Sequence, residues 1–128
     1  MLAAAEDAGA RIVYRDLPVF GEESEDAARV ALATQGQGLY PQVHDAFIRE
    51  SRALSPARMR DIVENLGGDW SAVLAAIKAG GPSRILSANR RDAMRLGIAG
   101  TPTYVIGRYR YTGAMSETQF QRAIERAD

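Results

Sequence analysis

Apolar residues recur at helical spacing through the middle of the chain and at strand spacing toward its two ends. Residues 2–8 have a helix-forming composition and stop at Gly9. RIVYRDLPVF then alternates, with Ile12, Tyr14 and Asp16 on one side and Val13, Arg15 and Leu17 on the other, which predicts a strand over 11–17 ended by Pro18. Ser24 followed by Glu25 and Asp26 predicts a helix start, with acids in the turn that the dipole favours. That helix is expected to reach about Thr34, where Gly36 and Gly38 break it.

Pro41 opens the next helix, with Val43, Ala46, Phe47 and Leu54 near one face. Ser55-Pro56 is an N-cap followed by a first helical residue, and Met59, Ile62, Val63 and Leu66 repeat behind it. After Gly67-Gly68, Asp69 caps a helix carrying Trp70, Val73, Leu74 and Ile77. Gly80-Gly81-Pro82 interrupts again, and Ser83 is expected to cap a helix through Ile85, Leu86, Asn89, Ala93 and Leu96, stopped by Gly97. GIAGTPTYVIG and RYRYTGA read as a proline loop and a hairpin with Gly107 in its turn. Ser116 and Gln119 form a capping box for a last helix with Phe120, Ala123, Ile124 and Ala127 on one face.

Composition narrows the chemistry. The chain has 128 residues, the size of one ordinary domain, with 16 basic and 16 acidic residues. A net charge of zero provides no field toward nucleic acid or an anionic membrane, so neither is expected as a partner. Arg90 and Arg91, and Arg108-Tyr109-Arg110, read as a solvated helix face and hairpin for the same reason. No apolar run reaches membrane-spanning length, and MLAAAEDAGAR is not patterned as a signal peptide. There is no cysteine, which removes disulfides, thiolate catalysis and thiolate metal sites from this chain. One histidine, His44, cannot build a multi-histidine site, and as neighbours on a helix His44 and Asp45 point apart rather than forming a dyad. His44 reads as a packed or hydrogen-bonded helix residue, and the acids at 22–26 as a helix N-terminus rather than a cation site. No catalytic, metal or cofactor-binding residue is assigned.

Four stretches taken in order resemble the DsbA-like branch of the thioredoxin fold: RIVYRDLPVFGEESEDAARVALA, QGLYPQVHDAF, LGIAGTPTYVIG and YRYTGAMSETQFQRAI. The resemblance implies an α/β fold over residues 1–128. Residues 1–23 and 98–128 would form the thioredoxin-like part, and about 24–97 an inserted helical subdomain. It also implies that Gly100, Thr101, Pro102 and Thr103 match a cis-proline loop that holds a substrate backbone. The family reaction is thiol–disulfide exchange, mostly on exported proteins. This sequence departs from the pattern because the first strand and the C-x-x-C segment have no counterpart, so the chain reads as an N-terminally truncated member. As such it is expected to be unable to catalyse exchange. Without the first strand, the strands at 11–17 and 103–107 face an open slot. That predicts a homo-oligomer through exposed strand edges, or the capture of an extended peptide there. Compartment stays open: the family is mostly exported and no export signal is visible.

Overall fold

A computed structural model describes residues 6, 9–18 and 21–127. From residue 21 on, the described residues form six α-helices, a short 3-10 turn (Gln35–Gln37) and one hairpin: α1 (Glu22–Ala33), α2 (Tyr40–Arg49), α3 (Pro56–Asn65), α4 (Trp70–Lys78), α5 (Gly81–Arg95), β1 (Thr103–Ile106), β2 (Tyr109–Thr112) and α6 (Glu117–Ala127). The chain divides into two compact units, Asp16–Arg91 and Met1–Arg15 with Asp92–Asp128.

The first unit is helical. α1 packs on α2 and α4, and α3 packs on α2 and α4. Its core is built from Val30, Leu32, Val43, Phe47, Met59, Ile62, Val63, Val73 and Leu86. Val43, Val63, Val73 and Leu86 are essentially inaccessible. Each such side chain contributes about 1.5–3 kcal/mol of burial. The C-terminal turn of α1 is buried on every side. Small residues there, Ala31 and Ala33, let neighbouring helices approach closely. Thr34 ends it with its hydroxyl donating to the Ala31 carbonyl at 2.6 Å.

Local signals set most boundaries as expected. The Ser55 hydroxyl accepts from the Arg58 amide at 3.2 Å, with Pro56 as first helical residue of α3. The Asp69 carboxylate accepts from the Ser71 and Ala72 amides at the start of α4. The Ser71 hydroxyl donates to it too and is the largest cause holding its pKa below the ordinary carboxylate value. α3 closes with Gly67 at φ 88°, the Gly68 amide donating to the Val63 carbonyl and the Gly67 amide to that of Glu64. This pair of bonds is the Schellman arrangement. α5 ends the same way at Gly97 and Ile98.

Four expectations are corrected. α1 begins at Glu22 rather than Ser24, because Gly21 at φ 87° turns the chain and its carbonyl accepts from the Glu25 amide. α5 begins at Gly81 rather than after Ser83. Pro82 lacks only an amide that a first turn leaves unused, and the Ser83 hydroxyl accepts from Arg29 instead. Leu54 lies in the loop after α2, and Leu66, Leu74 and Leu96 are exposed rather than core. The strand expected over 11–17 is absent: residues 10–18 form no ladder, since no described strand lies alongside to share their hydrogen bonds. The helix expected over 2–8 lies outside the described residues except for Glu6, which is helical.

In the second unit, β1 and β2 pair antiparallel with Tyr104 opposite Tyr111 and Ile106 opposite Tyr109. Gly107 has φ 62° while Arg108 does not have positive φ, the requirement of a two-residue II′ turn. Period-two alternation puts Tyr104, Ile106 and Tyr111 against Met115, Phe120 and Ala123. Tyr104 and Phe120 meet edge to face at 4.7 Å, a geometry contributing about 0.5–1.5 kcal/mol beyond area burial. Ser116 and Gln119 close a reciprocal capping box at 2.7 and 3.2 Å, which sets where α6 begins. Arg126 of α6 lies 4.1 Å above the Tyr109 ring.

Candidate functional site

The loop at 100–103 is held at both ends and open in the middle. Gly97 ends α5, and Arg110 of β2 donates to the Leu96 carbonyl, occupying space that a side chain at Gly97 would need. The Thr103 hydroxyl donates to the Gly100 carbonyl at 2.7 Å. The Gly113 amide donates to the Pro102 carbonyl at 2.9 Å. The Thr101–Pro102 peptide bond is cis. Thr101 and Pro102 are exposed, and Gly100 and Thr103 are half-buried. The structure thus brings all four expected residues together on one loop.

The hairpin register shows what this loop leads into. In an antiparallel pair, hydrogen-bonded and non-bonded residue pairs alternate. The bond from Gly113 to Pro102 and the two-residue turn after Ile106 place the bonded pairs at 102/113, 104/111 and 106/109. Thr103 and Val105 therefore turn their amide and carbonyl groups to the outer edge of β1. No described strand pairs with that edge. The Val105 side chain, 53% exposed, projects from the face opposite α6. Elsewhere in this unit Val13, Met94 and Leu96 are exposed apolar residues. A free strand edge can bind another extended backbone.

Known proteins share the fold. The model of the DSBA-like thioredoxin domain matches residues 3–125. The chain belongs to that family. Two solved structures agree with it closely. A thioredoxin-like oxidoreductase from Silicibacter pomeroyi DSS-3 is 30% identical with a TM-score of 0.91, over 98% of this chain and 73% of its own. The thiol-disulfide exchange protein alpha-DsbA2 from Wolbachia pipientis is 27% identical with a TM-score of 0.83, over 91% of this chain and 64% of its own. No curated protein matches the chain. The fold is therefore the DsbA-like thioredoxin fold, helix-rich, with a small two-stranded sheet among the described residues.

Two polar clusters in the helical unit of this DsbA-like chain gave no clear sign in the sequence. Glu50, with a side chain only 8% exposed, accepts from Arg58 Nε at 2.8 Å and from the Arg52 amide at 3.1 Å. The Arg58 bond first, then the Arg52 amide, lower its pKa to about 2. Nothing in the letters marks a glutamate ending one helix and an arginine opening the next as partners. The second cluster gathers on Asp16. The Tyr40 hydroxyl donates to its Oδ2 at 2.5 Å, His44 Nδ1 stands 3.8 Å from Oδ1, and Asn89 Nδ2 donates to its carbonyl at 2.9 Å. Tyr40 and His44 are one turn apart on a helix, and that spacing is the only local signal. Asp45 points elsewhere and pairs with Arg49 at 3.3 Å. Of the arginines read as solvated, Arg90 pairs with Glu25. No group of three or more metal-ligating residues occurs among the described residues.

Proposed function

We propose that this chain holds extended polypeptide along the outer edge of β1, beside Thr101 and Pro102, and performs no thiol–disulfide exchange by itself. The observation that carries the reading is the combination of a family that includes exchange proteins with a chain containing no cysteine. Exchange requires a thiolate to attack a disulfide sulfur, and methionine sulfur cannot take that part. What this DsbA-like chain retains is the loop and the strand edge, with the backbone groups of Thr103 and Val105 directed outward. An incoming strand would bond to those groups, its side chains alternating about the edge. The same geometry supports a second occupant, another copy of the chain paired edge to edge, because exposed edges associate with whatever extended backbone is available.

Two measurements test the reading. Purified chain mixed with a disulfide-bonded protein and a thiol donor should accelerate reduction no more than an equal mass of an inert protein; measurable turnover would refute the claim of inactivity. Titration with a permanently unfolded, S-alkylated polypeptide should shift the amide NMR signals of Thr103 and Val105 more than those of Tyr104 and Ile106, whose amides already serve the hairpin. Shifts confined to the helical unit would place binding elsewhere.

A further inference from the structure

Of the two occupants that fit the outer edge of β1, a second copy of the chain has a register that the hairpin itself fixes. Thr103 and Val105 turn their main-chain groups outward, while Tyr104 and Ile106 spend theirs on β2. Two copies related by a two-fold axis pair antiparallel, and an outward residue must meet an outward residue to exchange bonds. Thr103 set opposite itself brings Val105 against Thr101, which lies in the bend before β1. Val105 set opposite itself brings Thr103 against Gly107, which lies in the hairpin turn. An axis through Tyr104 instead sets Thr103 of each copy against Val105 of the other. Strand residues alone then supply twice the main-chain bonds of either alternative.

We propose that two copies of this chain pair β1 to β1 about a two-fold axis through Tyr104, joining their hairpins into one antiparallel sheet. This rests on the open-edge reading above and commits the edge to a second copy. The strand Thr103–Ile106 carries no charged residue and no proline, the devices that keep sheet edges apart. With 16 basic and 16 acidic residues, two copies have no net charge to repel them. The helices on the sheet also have room. The core that includes Phe120 and Ala123 of α6 takes Tyr104 and Ile106 from β1 and Tyr111 from β2, and Arg126 covers Tyr109, so α6 straddles both strands. Across the axis the two α6 helices then stand two strand spacings apart, about 10 Å, an ordinary helix-packing distance. The axis makes the two Tyr104 residues a non-bonded cross-strand pair, the closer of the two kinds. Their rings meet on the face where each already packs edge to face on Phe120 at 4.7 Å. On the opposite face Val105, now 53% exposed, gains Thr103 of the other copy as its neighbour.

Disulfide trapping tests the register, and a chain without cysteine gives it no background. Tyr104→Cys, Thr103→Cys and Val105→Cys are made singly in the whole chain and oxidised with diamide, and the dimer is read on non-reducing gels. Two Tyr104→Cys chains should cross-link at least about tenfold faster than two Thr103→Cys or two Val105→Cys chains. In the Tyr104 register the first pair has Cα atoms about 4.5 Å apart, while the others are offset along the strand to about 8–9 Å, beyond the ~7 Å a disulfide spans. Equal rates in all three, fastest self-linking of Thr103→Cys or Val105→Cys, or no dimer in any would overturn the proposal. Should Tyr104→Cys not fold by circular dichroism, a mixture of Thr103→Cys and Val105→Cys decides. Mass spectrometry must then find the mixed disulfide in at least about tenfold excess over either self-linked dimer, and its absence refutes the pairing. Amide NMR titration with S-alkylated polypeptide separates this proposal from the edge reading. If trapping fails while the Thr103 and Val105 signals still shift, the edge binds peptide and self-pairing is refuted. If those signals stay still as well, the edge reading falls with it.

Discussion

Replacing Val105 with proline is the sharpest test of the open edge. In the observed register the Val105 amide points away from β2, so proline removes no ladder bond of the hairpin. The valine side chain is already half exposed, so the substitution gives up little apolar packing. Hairpin stability should therefore change by less than about 1 kcal/mol. An incoming strand loses more. One amide-to-carbonyl bond disappears, a net loss of about 0.5–1.5 kcal/mol. The pyrrolidine ring also occupies the position where the neighbouring backbone would lie. Together these weaken edge binding by at least about tenfold, since about 1.4 kcal/mol is one decade. Fluorescence anisotropy with an S-alkylated unfolded polypeptide reads peptide capture, and sedimentation velocity over a range of concentrations reads self-association. Circular dichroism verifies that the variant is folded. Val105→Ala, which keeps the amide and drops the side chain, must bind within about threefold of wild type on the same bond arithmetic. Unchanged binding and association in folded Val105→Pro, or equal losses in both variants, would refute the argument that the outer edge of β1 is the site.

Other expectations concern the scaffold. A Cβ on Gly68 would stand 2.6 Å from Val63 Cγ1 and 3.1 Å from Leu39 Cδ1, so Gly68→Ala should lower stability by about 1–3 kcal/mol, measured by urea unfolding; a neutral result would mean the end of α3 repacks freely. The Tyr111 hydroxyl is buried with no hydrogen-bond partner among the described residues, so Tyr111→Phe should be neutral or stabilising by about 1 kcal/mol, and a clear loss of melting temperature would reveal a partner. Glu50 has a folded-state pKa of about 2 against an ordinary 4.5, held down first by the Arg58 bond. Its contribution is complete above the unfolded value and is lost as pH falls from 4.5 through about 2. The stability gap between wild type and Glu50→Gln should accordingly be constant near neutrality and close across that acid interval; a gap independent of pH would show that the carboxylate charge plays no part.

The residues that read correctly from sequence are those whose bonds close within a few positions. Ser55, Asp69 and the Ser116–Gln119 box each satisfy amides two or three residues away, so their helix starts are written in adjacent letters. Gly107 between two alternating runs implied the hairpin for the same reason, and the sequence itself contains no cysteine. The proline turn into β1 was also legible, because Thr101, Pro102 and the alternating strand that follows are contiguous. Tertiary structure decided the rest. Residues 11–17 alternate like a strand, yet a ladder needs a remote partner, and none of the described residues supplies one. Ser24 and Ser83 looked like caps, but a positive-φ glycine upstream starts each helix earlier. Asp16 meets Tyr40, His44 and Asn89 across 24 to 73 residues of sequence, beyond any local pattern. The outward turn of the Val105 amide depends on the parity of a register that the alternation of side chains leaves undefined. Short-range hydrogen bonding is encoded where it occurs, whereas strand pairing and buried polar clusters depend on which distant groups the packed chain brings within about 3 Å.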